Sequence, residues 1–198
     1  MPSLPSDSEL IRRSIGCPAE FAALFDRHHA DLYRYICRRA GPSAAADIAA
    51  ETFLTAFARR GRYVASGDSA RPWLYGIAHN LLRNHARSER RQWLAYARHG
   101  EAPVADPDAT DAFSQADDRA DSASASAAIG RELARMPRGD RDALLLYAWA
   151  DMSYSDIASA LQIPVGTVRS RLNRARRQLR KIAAPTHLNG SLIGESHG

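Results

Sequence analysis

Apolar residues recur along this chain mostly at spacings of three and four, the period of an amphipathic helix, and no stretch alternates as a half-buried strand would. After Pro18-Ala19, the positions Phe21, Leu24, Phe25, His28, Leu32, Tyr35 and Ile36 form one such face, and Gly41-Pro42 predicts its end. Ser43 is a suitable N-cap for a second helix, with Ile48, Phe53, Leu54 and Phe57 on its apolar side and Gly61 as its stop. Arg62 to Arg71 reads as a polar loop containing Gly67 and Asp68. Pro72 then sits near the first turn of a long helix running to about Ala95. Trp73, Leu74, Ile77, Ala78, Leu81 and Leu82 make its dry stripe, opposite His79/Asn80, Arg83, Arg87 and Arg90/Arg91.

Periodicity lapses between residues 97 and 127, where Pro103, Pro107, seven acids and the run from Ser122 to Ser126 predict a mobile, acidic linker with transiently helical parts. Order returns near Ile129. Leu133 and Met136 predict a short helix ended by Pro137. A further helix from Arg141 to Ala150 would turn Ala143, Leu144, Tyr147 and Ala148 inward. The tail after Ala184 has little to pack. The pattern as a whole predicts an all-α protein of two small helical domains, 1–96 and 128–184, joined by the flexible linker 97–127 and followed by a short tail, 185–198.

Composition narrows the function. The chain has 198 residues, enough for one ordinary domain or two small ones, and a formal net charge of +5. Every cation but Lys181 is arginine, whose guanidinium suits phosphates and base edges. The charge is segregated. Gly100 to Gly130 carries seven acids and only Arg119, whereas Val165 to Lys181 carries seven bases and no acid. Arg83 to Arg98 forms a second basic stretch. A solvated helix face explains one arginine run, but two runs, each opposite an apolar face, point to two polyanion-binding modules. Only Cys17 and Cys37 are present, without a CxxC, so no disulfide scaffold or zinc finger is indicated. No 18-residue apolar run and no signal-peptide h-region occur, and a cytoplasmic protein is expected.

The most specific motif lies between Met152 and Lys181. Ser153 and Asp156 have the spacing of a capping box and start a helix ending near Leu161, in which Ala158 is small enough for two helices to cross closely. Gln162-Ile163-Pro164 makes a turn. In the helix that follows, Val168, Leu172 and Leu179 face inward, leaving Thr167, Arg169, Ser170, Arg171, Asn173, Arg174 and Arg177 outside. That is a helix-turn-helix layout, in which the second helix enters the major groove. Arginine and asparagine there can fork onto guanine and adenine edges while neighbouring arginines hold phosphates.

At this point the chain resembles a known family. SYSDIA followed by GTVRSRLNRARRQLRK is similar to region 4 of the extracytoplasmic-function sigma factors, and FAALFDRHHADLYRYI, DIAAETFLTAF and RPWLYGIAHNLLRNHARSERR follow the order of their region 2. The two matches cover about Phe21 to Arg91 and Ile129 to Ala183. The resemblance implies a subunit that binds core RNA polymerase and directs initiation at promoter DNA, without a catalytic residue, metal or cofactor of its own. It implies that Asp47, Ile48, Glu51, Thr52, Phe53 and Phe57 dock on the polymerase clamp. Asp47 and Glu51, one turn apart, would meet cations on a partner helix. Ala46 and Ala50 stand where the family usually has an acid and a Gln, so this contact rests on fewer polar anchors.

Tyr63, Ser66 and Asp68 would then belong to the pocket for an unstacked base of the −10 element, with Asn80, Arg83, Asn84 and Arg87 holding the melted strand. Thr167, Arg169, Ser170, Arg171, Arg174 and Arg177 would contact the −35 element. In the family the linker threads toward the RNA exit path, and an anti-sigma factor often covers both the DNA- and polymerase-binding faces. Two other function classes fit less well. A stand-alone helix-turn-helix regulator of the response-regulator kind needs a receiver of alternating strands and helices, and residues 1–96 show only helical periods. A DNA-cleaving or joining enzyme needs clustered carboxylates or an activated nucleophile, and the acids collect in the linker instead.

Overall fold

A computed structural model describes residues 4–65, 67–99 and 120–183. Among these the fold is all-α: helices α1 (Asp7–Gly16), α2 (Phe21–Ala40), α3 (Pro42–Arg59), α4 (Arg71–His99), α5 (Ala120–Arg135), α6 (Arg138–Trp149), α7 (Tyr154–Leu161) and α8 (Val165–Ala183), with 3₁₀ turns at Pro18–Glu20 and Arg60–Arg62. The proposed pocket residue Ser66, the tail 185–198 and most of the expected linker lie outside the described residues. The described ends of that linker are helical, since α4 continues to His99 and α5 already begins at Ala120. Alanine and serine from Ala120 to Ala128 carry little cost in a helix, which lets α5 start early.

Helix α1 has no counterpart in the periodicity reading. Ser6 caps it by accepting from the Glu9 amide, and its consecutive residues Leu10 and Ile11 are buried together with Ser14. Helix α2 follows expectation: Phe21, Leu24, His28, Leu32, Tyr35 and Ile36 are buried. Phe25 alone of that set stays partly exposed, stacked on His29 and edge-on to Phe53. Gly41 ends the helix with a φ of 78°, donating its N–H to the Cys37 carbonyl. It also caps α3, which opens on Pro42, so Ser43 falls inside the first turn rather than at the cap. Leu54 faces outward at 63% exposure, whereas Ala45, Ala49 and Ala56 join Ile48 and Phe53 inside. Alanines replace larger residues there because α2, α3 and α4 pack closely on one another.

Helix α4 is buried on two sides. Its expected stripe packs against α2 and α3, with Leu74, Ile77, Ala78 and Leu82 inside and Trp73 and Leu81 half-buried. Its second side meets the C-terminal helices. An added Cβ at Gly76 would lie 2.9 Å from the Ala160 carbonyl oxygen of α7, so only glycine permits this crossing. The close approach of α4 to α7 is thus at Ala160. Tyr75 is fully buried with its ring centroid 5.1 Å from that of Tyr35.

Helix α6 is sandwiched in the same way. Asp140, Asp142 and Ala143 to Leu146 are buried, while Tyr147 and Ala148, expected inside, lie outside. The rotation brings Asp142 to Arg39 of α2, at 2.9 Å. One hydrophobic core therefore runs from Ile11 to Ala175 through both halves of the chain.

Candidate nucleic-acid interface

The outer surface of α8 is fixed by what precedes it. Ser153 and Asp156 form the expected reciprocal capping box on α7, and Gln162 takes a left-handed conformation, φ 54°, to end that helix. Pro164 accepts from the Thr167 and Val168 amides as α8 begins. Val168, Leu172 and Ala175 are fully buried, and Leu179 is half-buried. Arg169, Ser170, Arg174 and Arg177 are consequently exposed, and Thr167 and Arg171 are intermediate.

The guanidiniums on this surface differ in how they are held. Arg174 forks onto Asp140 with bonds of 2.8 and 2.7 Å, and that carboxylate raises its pKa. Arg171 lies against the Gly139 carbonyl at 3.5 Å, at the limit of a hydrogen bond. Arg176 turns away from the outer surface, donating to the Tyr154 hydroxyl and covering the Tyr147 ring. The Ser170 hydroxyl donates to the Thr167 carbonyl, leaving its lone pairs outward.

The second basic surface is on α4. Asn80, Arg83, Asn84 and Arg87 are all exposed, on the side of the helix away from its dry stripe. Asp68 is exposed in the loop before α4. Tyr63 is half-buried, its ring 4.8 Å from that of Trp73, and its hydroxyl finds no partner among the described residues. His79 is buried in the wall between the two halves. Burial pushes its pKa below the ordinary value against the opposing Asp142, whose carboxylate is 3.8 Å from Nε2, and the cations Arg39, Arg83 and Arg171 act in the same direction as burial.

Arg83, Arg87 and Arg90 of α4 and Arg171 of α8 meet at one cleft of about 660 Å³ between the halves, which Arg39, Arg138 and Arg141 also line, with Glu89 and Asp142 opposing them. Its charge suits a polyanion.

On α3 the predicted docking residues divide by face. Asp47 and Glu51 are exposed on adjacent turns beside Ala46 and Ala50, and Leu54 adds an exposed apolar group to that side. Ile48, Thr52 and Phe53 point into the core, with the Thr52 hydroxyl bonded to the Ile48 carbonyl. Phe57 is half-buried between an edge contact with Phe21 and the Arg60 guanidinium. The three inward residues shape the helix and do not present side chains to a partner.

Residues that periodicity missed gather around Asp7. Its carboxylate accepts from Arg27 at 2.6 Å, from the Ala70 amide at 2.7 Å and from Ser69 at 3.2 Å, and lies 2.7 Å from His28 Nε2. Burial opposes ionisation, but the bonds from His28, Ala70 and Arg27 prevail and hold this carboxyl well below the usual range. The readable signal was Ser6 with Glu9 three residues on, the spacing of a helix start. Among the described residues no group of three or more His, Cys, Asp or Glu could hold a metal ion, and no helix is long and apolar enough to cross a membrane.

Comparison with known proteins gives a consistent result. Residues 24–92 match the family described as Sigma-70 region 2, and residues 126–179 match Sigma-70, region 4. The chain is 37% identical over 153 residues to the RNA polymerase sigma-H factor of Pseudomonas aeruginosa, covering 71% of this chain and 74% of that one. It is 31% identical over 160 residues to the ECF RNA polymerase sigma factor SigC of Mycobacterium tuberculosis, covering 81% of each. The fold is similar to that of the sigma factor RpoE of Bartonella quintana, solved in complex with the anti-sigma factor NepR, with a TM-score of 0.59 at 21% identity over 85% of this chain and 99% of that one. This chain belongs to the extracytoplasmic-function family of RNA polymerase sigma factors.

Proposed function

We propose that the chain directs promoter-specific initiation by presenting α4 and the loop before it to the −10 element, α8 to the −35 element, and the outer side of α3 to core polymerase. The observation that carries this reading is the pair of exposed polar rows, Asn80, Arg83, Asn84 and Arg87 on α4 and Thr167, Arg169, Ser170, Arg174 and Arg177 on α8, each opposite a buried stripe. Arg171 completes the second row from the rim of the cleft. Asp47, Glu51 and Leu54 are the exposed groups with which α3 would dock, supported from within by Ile48, Thr52, Phe53 and Phe57. Tyr63 and Asp68 border the base pocket.

Arg83 and Arg87 of the first row and Arg171 beside the second line the same cleft, whereas the two promoter elements are about 25 base pairs apart, or roughly 85 Å at 3.4 Å per step. Simultaneous contact therefore requires the halves to separate, and the arrangement seen here is a closed one. An anti-sigma factor is the expected partner for such a state, and the similar Bartonella quintana protein was solved in complex with one, NepR.

The test is run-off transcription with purified core polymerase on genomic fragments. Transcripts that start at discrete sites and need this chain are expected. Their absence from every fragment, with the chain folded and bound to core, overturns the reading.

A further inference from the structure

We propose that Asp7 is a positioning residue for −10 recognition, acting by holding the part of the loop next to α4, Gly67 to Ala70, in the shape that receives an unstacked base. This rests on the reading above that this loop and α4 face the −10 element. Asp7 is not itself open to a ligand, since its side chain is almost wholly buried. Its oxygens accept from the Ala70 amide and the Ser69 hydroxyl, the last two residues before α4, while Arg27 and His28 secure the same carboxylate to α2. The next residue, Ser8, donates to the Gly67 carbonyl at 3.3 Å. The far end of α1 reaches the other side of the loop, where the Ser14 carbonyl accepts from Arg60 at 3.2 Å. One short helix thus braces the loop from both ends.

The physical consequence concerns entropy. A loop that captures a flipped base must either be ordered beforehand or become ordered on binding, and in the second case the ordering subtracts from affinity and blurs discrimination between bases. A carboxylate with four partners is saturated and has no capacity left for a ligand. What it holds in place is backbone, at Ala70 directly and at Gly67 through its neighbour. Tyr63 is placed by its packing on Trp73, on the α4 side of the same loop.

The experiment uses the full chain with core polymerase and a promoter located by mapping transcript starts, with single-base substitutions in each element. Asp7→Asn and Asp7→Ala are expected to reduce discrimination among −10 bases by about fivefold or more, while −35 discrimination and core affinity stay within about twofold. Ser69→Ala leaves the other three partners of Asp7 in place, removing the hydroxyl's bond to Asp7 and the one it accepts from the Arg71 amide, and should move −10 discrimination in the same direction by less. It also carries the test if the Asp7 variants do not fold, as judged by circular dichroism. A folded Asp7→Asn or Ser69→Ala protein that keeps wild-type −10 discrimination, or that loses −10 and −35 discrimination equally, overturns the proposal. Tyr63→Ala and Asn80→Ala separate the two levels of the argument. If they also keep −10 discrimination, the assignment of this surface to the −10 element fails; if they lose it while the Asp7 and Ser69 variants do not, only the role of Asp7 fails.

Discussion

The Arg39 guanidinium of α2 donates to the Asp142 carboxylate of α6 across 103 residues of sequence, and both side chains are about nine-tenths buried. This bond joins the half that carries the α4 surface to the half that carries α8. Removing the carboxylate leaves a charge out of water without that counterion, so Asp142→Ala should cost about 3 kcal/mol of stability. Urea unfolding measures this, and small-angle scattering should show a larger radius of gyration for the folded variant. An unchanged radius would mean that this pair does not keep the halves together.

Gly76 permits the crossing of α4 over α7. A larger side chain would press on the Ala160 backbone, which cannot swing aside as a flexible side chain can. Gly76→Leu is expected to destabilise the closed arrangement by about 1–3 kcal/mol. Fluorescence transfer between probes on α3 and α8 should fall in this variant. If separation precedes promoter binding, the folded variant should also engage promoter at lower concentration than the parent chain.

Acid should loosen the same junction. His79 is held below the ordinary imidazole value of 6.5 by burial, with Arg39, Arg83 and Arg171 adding to the effect and Asp142 opposing it. Opening returns the ring to water and to its ordinary affinity for a proton. The closed state is therefore favoured above pH 6.5 and loses stability as pH falls below that value toward the folded pKa. Asp7 acts in a separate window. Its carboxyl is depressed, so its contribution is present above its ordinary value of 3.8 and is lost at lower pH. Two acid steps are expected in a pH titration of unfolding, and His79→Gln should remove the one nearer neutrality.

Arg171→Ala should weaken −35-dependent initiation by about 1–3 kcal/mol and relax preference at one base, the effect of losing a base-edge contact. Arg176→Ala should instead act on stability, since that guanidinium packs on Tyr147 and bonds to Tyr154. Transcription from −35 substitution panels, read beside thermal melting, distinguishes the two. Equal behaviour of the two variants would contradict the assignment of faces on α8.

Much of this was legible because it is local. Ser153 and Asp156 mark the start of α7, and the interval from Val168 to Leu172 fixes which side of α8 is dry, so the outer arginines follow from spacing alone. The inward faces of α2 and of α4 were readable for the same reason. What escaped depends on contacts distant in sequence. Tyr147 was expected inside, but α6 turns to bury Asp142 against Arg39, a demand that no window of ten residues contains. Gly76 and His79 were part of a helix already given one dry side, and periodicity does not reveal a second. Helix α1 offers only Leu10, Ile11 and Ile15, the last of which points outward, too little for a period, although Ser6 and Glu9 marked its beginning. In α3, repeated alanines blurred the face, and Leu54 was placed inside although it points out.

The long separation between Arg39 and Asp142 also has a bearing on synthesis. Ribosomes deliver residues from the N-terminus at about 5–20 per second, so the first four helices, complete at His99, emerge some 2–9 s before the carboxylate of Asp142 that fastens them to the rest. During that interval the nascent chain already displays the α3 and α4 surfaces in an unlatched form. Whatever meets it first, polymerase or inhibitor, does so before the molecule can shut.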